Sequence, residues 1–168
     1  MSEVGAGERW YALKTRSRHE KLVRDRLEVQ GITPLLPTVK RLSQWKDRKK
    51  EIEVPLFSGY CFARFPWQER MVVVKVPGVV EIVGGGEHPE PIPDGEIDSL
   101  KTLMASTLPY DSYPYLQVGM AVEVVRGPLT GAHGILAKKG KHHRLVIAVH
   151  LIQQAAAVEI DAGDVRPI

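Results

Sequence analysis

The sequence predicts an α+β two-layer domain of about a hundred residues, followed by a small all-β barrel of about five strands. Three observations predict it. Leu56 to Phe65 is an aromatic, strand-like stretch set among alternating helical and strand patterns, with Gly59 and Pro66 punctuating its ends. Leu108 to Tyr115 breaks all periodicity with proline and turn formers and reads as a linker. Beyond it, short apolar or alternating runs are separated by glycine, lysine and polar turns. A chain of 168 residues, 43% hydrophobic and 26% charged, has the composition of a soluble globular protein, and no apolar run approaches a membrane span. Its single cysteine, Cys61, precludes an internal disulfide and fits a reducing, cytoplasmic setting.

Residues 1–8, with Ser2, Glu3, Gly5 and Gly7, read as a disordered tail that lacks the basic-then-apolar pattern of a signal peptide. Arg9 to Thr15 is a short strand by its aromatic content. Ser17-Arg18-His19-Glu20 has the form of a capping box, in which Ser17 accepts from the first turn and Glu20 reaches back. A helix follows to about Gln30, with Leu22, Val23 and Leu27 along one stripe and Gly31 ending it. Pro34 and Pro37 keep the chain extended into a strand from Val39 to Trp45. Trp45 to Lys50 reads as a hairpin tip, and Glu51-Ile52-Glu53-Val54 alternates on the way back.

In the central strand Cys61, Ala63 and Phe65 share one face, small and apolar enough for a close-packed helix. Tyr60, Phe62 and Arg64 share the other, whose cover the sequence does not name. Those aromatics are either core or part of a partly open docking platform. Pro66 to Lys75 reads as a short helix, although Met71-Val72-Val73-Val74 also suits a strand. Val76-Pro77-Gly78 is a turn and Val79 to Val83 a strand. Gly84-Gly85-Gly86 lacks the Lys-Ser or Lys-Thr pair of a phosphate loop. Asp94 caps a last helix to about Thr107, with Ile97, Leu100, Leu103 and Met104 on its buried stripe.

The net charge is only +3, but the cations are segregated. Lys14, Arg16, Arg18, Lys21, Arg24 and Arg26 form one cluster; Lys40, Arg41, Lys46, Arg48, Lys49 and Lys50 a second; Lys138, Lys139, Lys141 and Arg144, with His142 and His143, a third. Such clusters either attract phosphate backbones or are solvated faces. At the hairpin tip Trp45 can stack on a base while Lys46 and Arg48 meet phosphate, or it folds down onto the sheet above a solvated loop. Catalysis has little support. Cys61 sits mid-strand among apolar neighbours as a small buried thiol, the carboxylates are scattered, and adjacent His142 and His143 point to opposite faces of a strand.

Val118-Gly119, Val122-Glu123-Val124 and Gly127-Pro128-Leu129-Thr130-Gly131-Ala132-His133-Gly134-Ile135-Leu136 resemble a KOW motif, which occurs in SH3-like barrels. Arg9-Trp10-Tyr11, Pro55-Leu56-Phe57-Ser58-Gly59-Tyr60, Val76-Pro77-Gly78-Val79 and Pro91-Ile92-Pro93-Asp94 with Glu96-Ile97 resemble, in order and spacing, the NusG N-terminal (NGN) domain. Together the chain resembles NusG-family transcription elongation and antitermination factors over nearly all of its length after residue 8. Gln44 to Lys50 and Val149 to Gln153 lean toward the specialised paralogues of the UpxY and RfaH kind. One departure is Ser58, where the family usually has proline.

The resemblance implies a ferredoxin-like NGN domain over 9–107, a linker over 108–117 and a KOW barrel over 118–168. It implies a monomer without enzymatic activity, cofactor or metal. It places Trp10, Phe57, Tyr60 and Phe62 against the clamp helices of RNA polymerase, and Gln68, Glu69 and Arg70 against the opposite jaw. Arg16, Arg18 and Arg26 fall where family members approach the non-template DNA strand. Pro128, Leu129 and Thr130 would recruit a small-subunit ribosomal protein or the Rho helicase. The alternative is a ribosome-associated or RNA-binding KOW protein that uses its cations on structured RNA.

Overall fold

The computed structural model describes residues 7–45, 48–84, 88–116 and 119–168. The first unit runs β1 (Glu8–Thr15), α1 (Glu20–Val29), β2 (Thr33–Leu35), β3 (Thr38–Trp45), β4 (Arg48–Pro55), β5 (Tyr60–Pro66), α2 (Arg70–Val74), β6 (Val79–Ile82) and α3 (Asp94–Ala105). The second runs β7 (Tyr110–Tyr113), β8 (Met120–Val124), β9 (His133–Lys139), β10 (His142–Val149), β11 (Gln154–Ile160) and β12 (Val165–Pro167).

Strands β1 and β5 lie antiparallel at the centre of a sheet ordered β2-β5-β1-β6, with Ala12 opposite Phe62 and Lys14 opposite Tyr60. The alternation predicted for β5 holds. Tyr11, Leu13, Cys61, Ala63 and Phe65 bury one face against Val23 and Leu27 of α1 and against Val73 and Val76. Trp10, Ala12 and Phe62 bury the other against Phe57 and against Ile97, Leu100 and Leu103 of α3. The sheet is therefore covered on both sides, and α3 supplies the second cover.

Several local expectations give way to longer-range partners. Ser17 makes no capping bond; His19 is the N-cap of α1, and the Glu20 carboxylate leaves the helix end for the turn before β5. Asp94 is the first residue of α3 rather than its cap, which is Pro93. Glu8, read as tail, opens β1, while residues 1–6 lie outside the described residues. The hairpin tip is shorter than expected. β3 and β4 stay in register to Trp45 opposite Arg48, so Arg48, Lys49 and Lys50 belong to the ladder rather than a loop. The ambiguous segment after β5 is helical, a 3-10 turn at Trp67–Glu69 followed by α2.

The second unit is a six-stranded ladder ordered β12-β8-β9-β10-β11-β7. Its interior is built from Val122, Val124, Leu129, Leu145, Ile147, Val149, Ala156 and Val158. The strand beyond the five expected is β7, from the segment read as linker, which pairs antiparallel with β11 from Tyr110 opposite Val158 to Tyr113 opposite Ala155. Tyr113 and Leu116 pack over Ala155, Ala157 and Val146 in a satellite cluster.

Candidate functional site

The aromatic face starts at the turn into β5. Gly59 sits at φ +85°, a left-handed conformation that glycine adopts without strain. Its N–H donates to Glu20 Oε2 at 2.7 Å, and its carbonyl accepts from Thr15 N–H at 2.8 Å. Glu20 and Thr15 are both buried, so this turn is fixed from two sides despite serine at position 58. The fixed turn places Phe57 edge-on to Phe62, ring centroids 6.3 Å apart.

The face is not open. Trp10, Phe57 and Phe62 are 5%, 2% and 0% exposed, and only Tyr60 at the rim is half-buried. Ile97, Leu100 and Leu103 of α3 fill the space above the sheet, and Lys101 Nζ lies 4.8 Å from the centroid of the Trp10 ring. Of the two readings of these aromatics, core and partly open platform, the core reading holds for Phe62, because α3 turns its apolar stripe onto the aromatics and roofs them.

The roof has a second side. Ser99 Oγ accepts from His133 N–H of β9 at 3.0 Å, and Glu96 Oε1 accepts from His150 N–H, just after β10, at 3.1 Å. Burial pushes the Glu96 carboxyl up, opposed by the amide and ring of His150. Arg41 of β3 donates two bonds to Asp111 of β7, at 2.6 and 2.8 Å, and Tyr110 Oη donates to the Thr38 carbonyl at 2.7 Å. One helix and one hairpin therefore clasp the barrel to the first unit. Sequence reasoning missed Glu96, Ser99, Lys101 and Asp111 as functional positions, and read Arg41 only as a member of a basic cluster. The signal for Ser99 was present as a small polar residue flanked by the apolar stripe.

The other expected residues fall in separate places. Gln68, Glu69 and Arg70 are exposed at the start of α2, where the Arg70 guanidinium lies 5.2 Å from the Trp67 ring centroid. Arg16 and Arg18 are exposed at the β1–α1 junction. Arg18 and Lys21 line a cleft against Glu53, Pro55 and Gly59 at the root of the β3–β4 hairpin. Arg26 lies farther along α1 and donates to the Pro77 carbonyl at 2.7 Å, so it is not gathered with the other two. Arg48 is exposed on β4; Lys46 and the side chain of Trp45 lie outside the described residues. In the barrel Pro128 and Thr130 are exposed, but Leu129 is 1% exposed and plugs the interior. Only the two residues flanking it are presented to solvent.

Among the described residues no nucleophile or metal centre emerges. Burial pushes the Cys61 thiol up to about 12, and His142 faces Glu159 at 3.0 Å. Among the described residues no three His, Cys, Asp or Glu side chains gather as metal ligands. No described helix is long and apolar enough to cross a membrane.

A sheet domain roofed by its last helix, with that helix held by a small barrel, is a two-domain architecture of the NGN-plus-KOW class. Residues 8–101 of the 168 match the family described as transcription termination factor nusG, more than half the chain, so the chain belongs to the NusG family. It is 26% identical to transcription termination/antitermination protein NusG of Staphylococcus carnosus across all of both chains. It is 23% identical to the protein of that name from Borreliella burgdorferi, across 95% of this chain and 98% of the relative. Among solved structures it is similar to NusG of Thermotoga maritima, described for its domain interaction, with a TM-score of 0.58 and 20% identity over 98% of this chain and 99% of that one.

Proposed function

We propose that this protein is a transcription elongation and antitermination factor that binds RNA polymerase through its N-terminal domain and recruits a second factor through its barrel. The family it belongs to consists of transcription factors rather than enzymes. The observation that carries the reading is that the family match falls on the domain holding the aromatic face.

Burial of Trp10, Phe57 and Phe62 shapes the mechanism. The docked arrangement is a resting state in which the barrel occupies the outer side of α3. Polymerase meets Tyr60 and the exposed Arg64 at the rim, together with α3 once the barrel has left it. Polymerase and barrel then compete for one helix, and the balance shifts by the difference in their affinities for it. The released barrel is free to hold its own partner by Pro128 and Thr130. Gln68, Glu69 and Arg70 reach the opposite jaw, and bridging the two jaws favours the closed, pause-resistant enzyme. Arg16 and Arg18, exposed at the β1–α1 junction, approach the displaced DNA strand.

The test is retention of core RNA polymerase by the wild-type protein, by Tyr60→Ala, and by Glu96→Ala with Ser99→Ala. Tyr60→Ala should weaken retention, since an aromatic at an interface contributes about 2 kcal/mol or more. Loosening the clasp should strengthen it. Failure of both the wild type and the loosened variant to retain polymerase would refute the reading.

A further inference from the structure

We propose that the β9–β10 turn at the far end of the barrel is a second site, one that takes the phosphate backbone of double-stranded nucleic acid. Residues 138–144 carry Lys138, Lys139, Lys141 and Arg144, with His142 and His143, and no acid at all. Lys138 and Lys141 are exposed. Glu159 lies directly opposite Arg144 in the ladder, and His142 Nδ1 engages it at 3.0 Å. Arg144 Nε is enclosed and has no hydrogen-bond partner among the described residues. A desolvated donor without an acceptor is unfavourable, so the guanidinium gains by turning toward an arriving anion.

The class of ligand follows from how Lys138 and Arg144 and the two histidines are displayed. Lys138 and His143 are opposite each other on one face of the ribbon, while His142 and Arg144 lie on the other. A two-stranded ribbon charged on both faces fits between two rows of phosphates, and a groove of duplex width admits such a ribbon. There is no Phe, Tyr or Trp between residues 137 and 144. Single-strand binding without a stacking platform forfeits its main sequence-tolerant contact, which favours a duplex. An acidic protein is disfavoured, because the turn offers no exposed apolar anchor.

The site is reachable while the domains are clasped. The bond from His133 N–H to α3 is at the start of β9, and the turn follows the other end of that strand, six residues on at Lys139. At strand rise this is roughly 20 Å away. The proposal does not depend on polymerase binding.

The experiment is fluorescence anisotropy of the full chain with a short DNA duplex, an RNA hairpin stem, a single strand and poly-glutamate, from about 50 to about 200 mM salt. It compares wild type, Lys138→Gln with Lys141→Gln, and Arg16→Gln with Arg18→Gln. The hairpin double variant, both of whose changes are at exposed positions, should lose about tenfold in duplex affinity at the low-salt end. Its salt slope should fall by about 1.8, as expected for two lost phosphate contacts, and the loss should add to that of the arginine variant. Comparison of the DNA and RNA duplexes identifies which backbone is preferred. An unchanged affinity and slope in the hairpin variant overturns the proposal. So does tighter binding of the single strand than of either duplex, or equal loss toward poly-glutamate, which would assign the turn to acidic protein.

Discussion

Cys61 and Phe62 are neighbours in β5 that face opposite cores, and each carries its own expectation. With its pKa pushed up to about 12 by burial, the Cys61 thiol stays protonated and sheltered at neutral pH. Ellman's reagent at mildly alkaline pH should therefore find no reactive thiol in the native protein and one after denaturation. Phe62→Ala opens a cavity under α3 and should cost about 3–5 kcal/mol in denaturant unfolding, whereas Tyr60→Ala at the half-buried rim should cost less than half of that. The partition of these side chains was legible because strand alternation depends only on neighbours in sequence. The fate of Glu20 was not. Its spacing from Ser17 satisfies a capping box, but the Gly59 amide, 39 residues away, offers the carboxylate a buried donor that no local pattern encodes.

At the scale of elements, β9 shows how closely two strands of the barrel approach each other. A Cβ at Gly134 would collide with the Val146 carbonyl oxygen across the ladder and reach within 3.0 Å of Leu145 Cδ1. Gly134→Ala should accordingly destabilise the barrel by about 1–3 kcal/mol, as overpacking does, and lower its thermal midpoint. α3 was legible as an amphipathic helix from Ile97, Leu100 and Leu103, but its role as a roof was not. An apolar stripe says that a helix is buried without saying against which sheet. β7 was hidden for a different reason. Pro109 and Pro114 bracket a polar Asp111-Ser112 pair, a pattern of turns and linkers, and the strand forms because β11 offers it an edge of backbone N–H and C=O groups to pair with. Strand formation here is dictated by the partner more than by propensity.

For the whole molecule, the clasp decides which surfaces are presented. Glu96→Ala with Ser99→Ala should leave each unit folded yet speed amide exchange at His133 and His150, the two N–H groups whose acceptors are removed. The Arg41–Asp111 pair adds a pH dependence with a definite sign. The hydrogen bond from Arg41 holds the Asp111 carboxyl below its ordinary 3.8, so its contribution is present above that value and is lost as pH falls through the lowered one. The difference in unfolding midpoint between wild type and Asp111→Asn should stay level from about pH 7 to about pH 5 and close toward about pH 3. The pairing of β7 with β11 also sets the length of the leash. With Tyr110 to Tyr113 zipped into the ladder, only residues 106–109 span the gap from the end of α3, about 17 Å at full stretch. A barrel that lets go of α3 therefore stays beside it at millimolar effective concentration. It rebinds quickly unless something else takes the helix first, and only unzipping β7 would let it range farther.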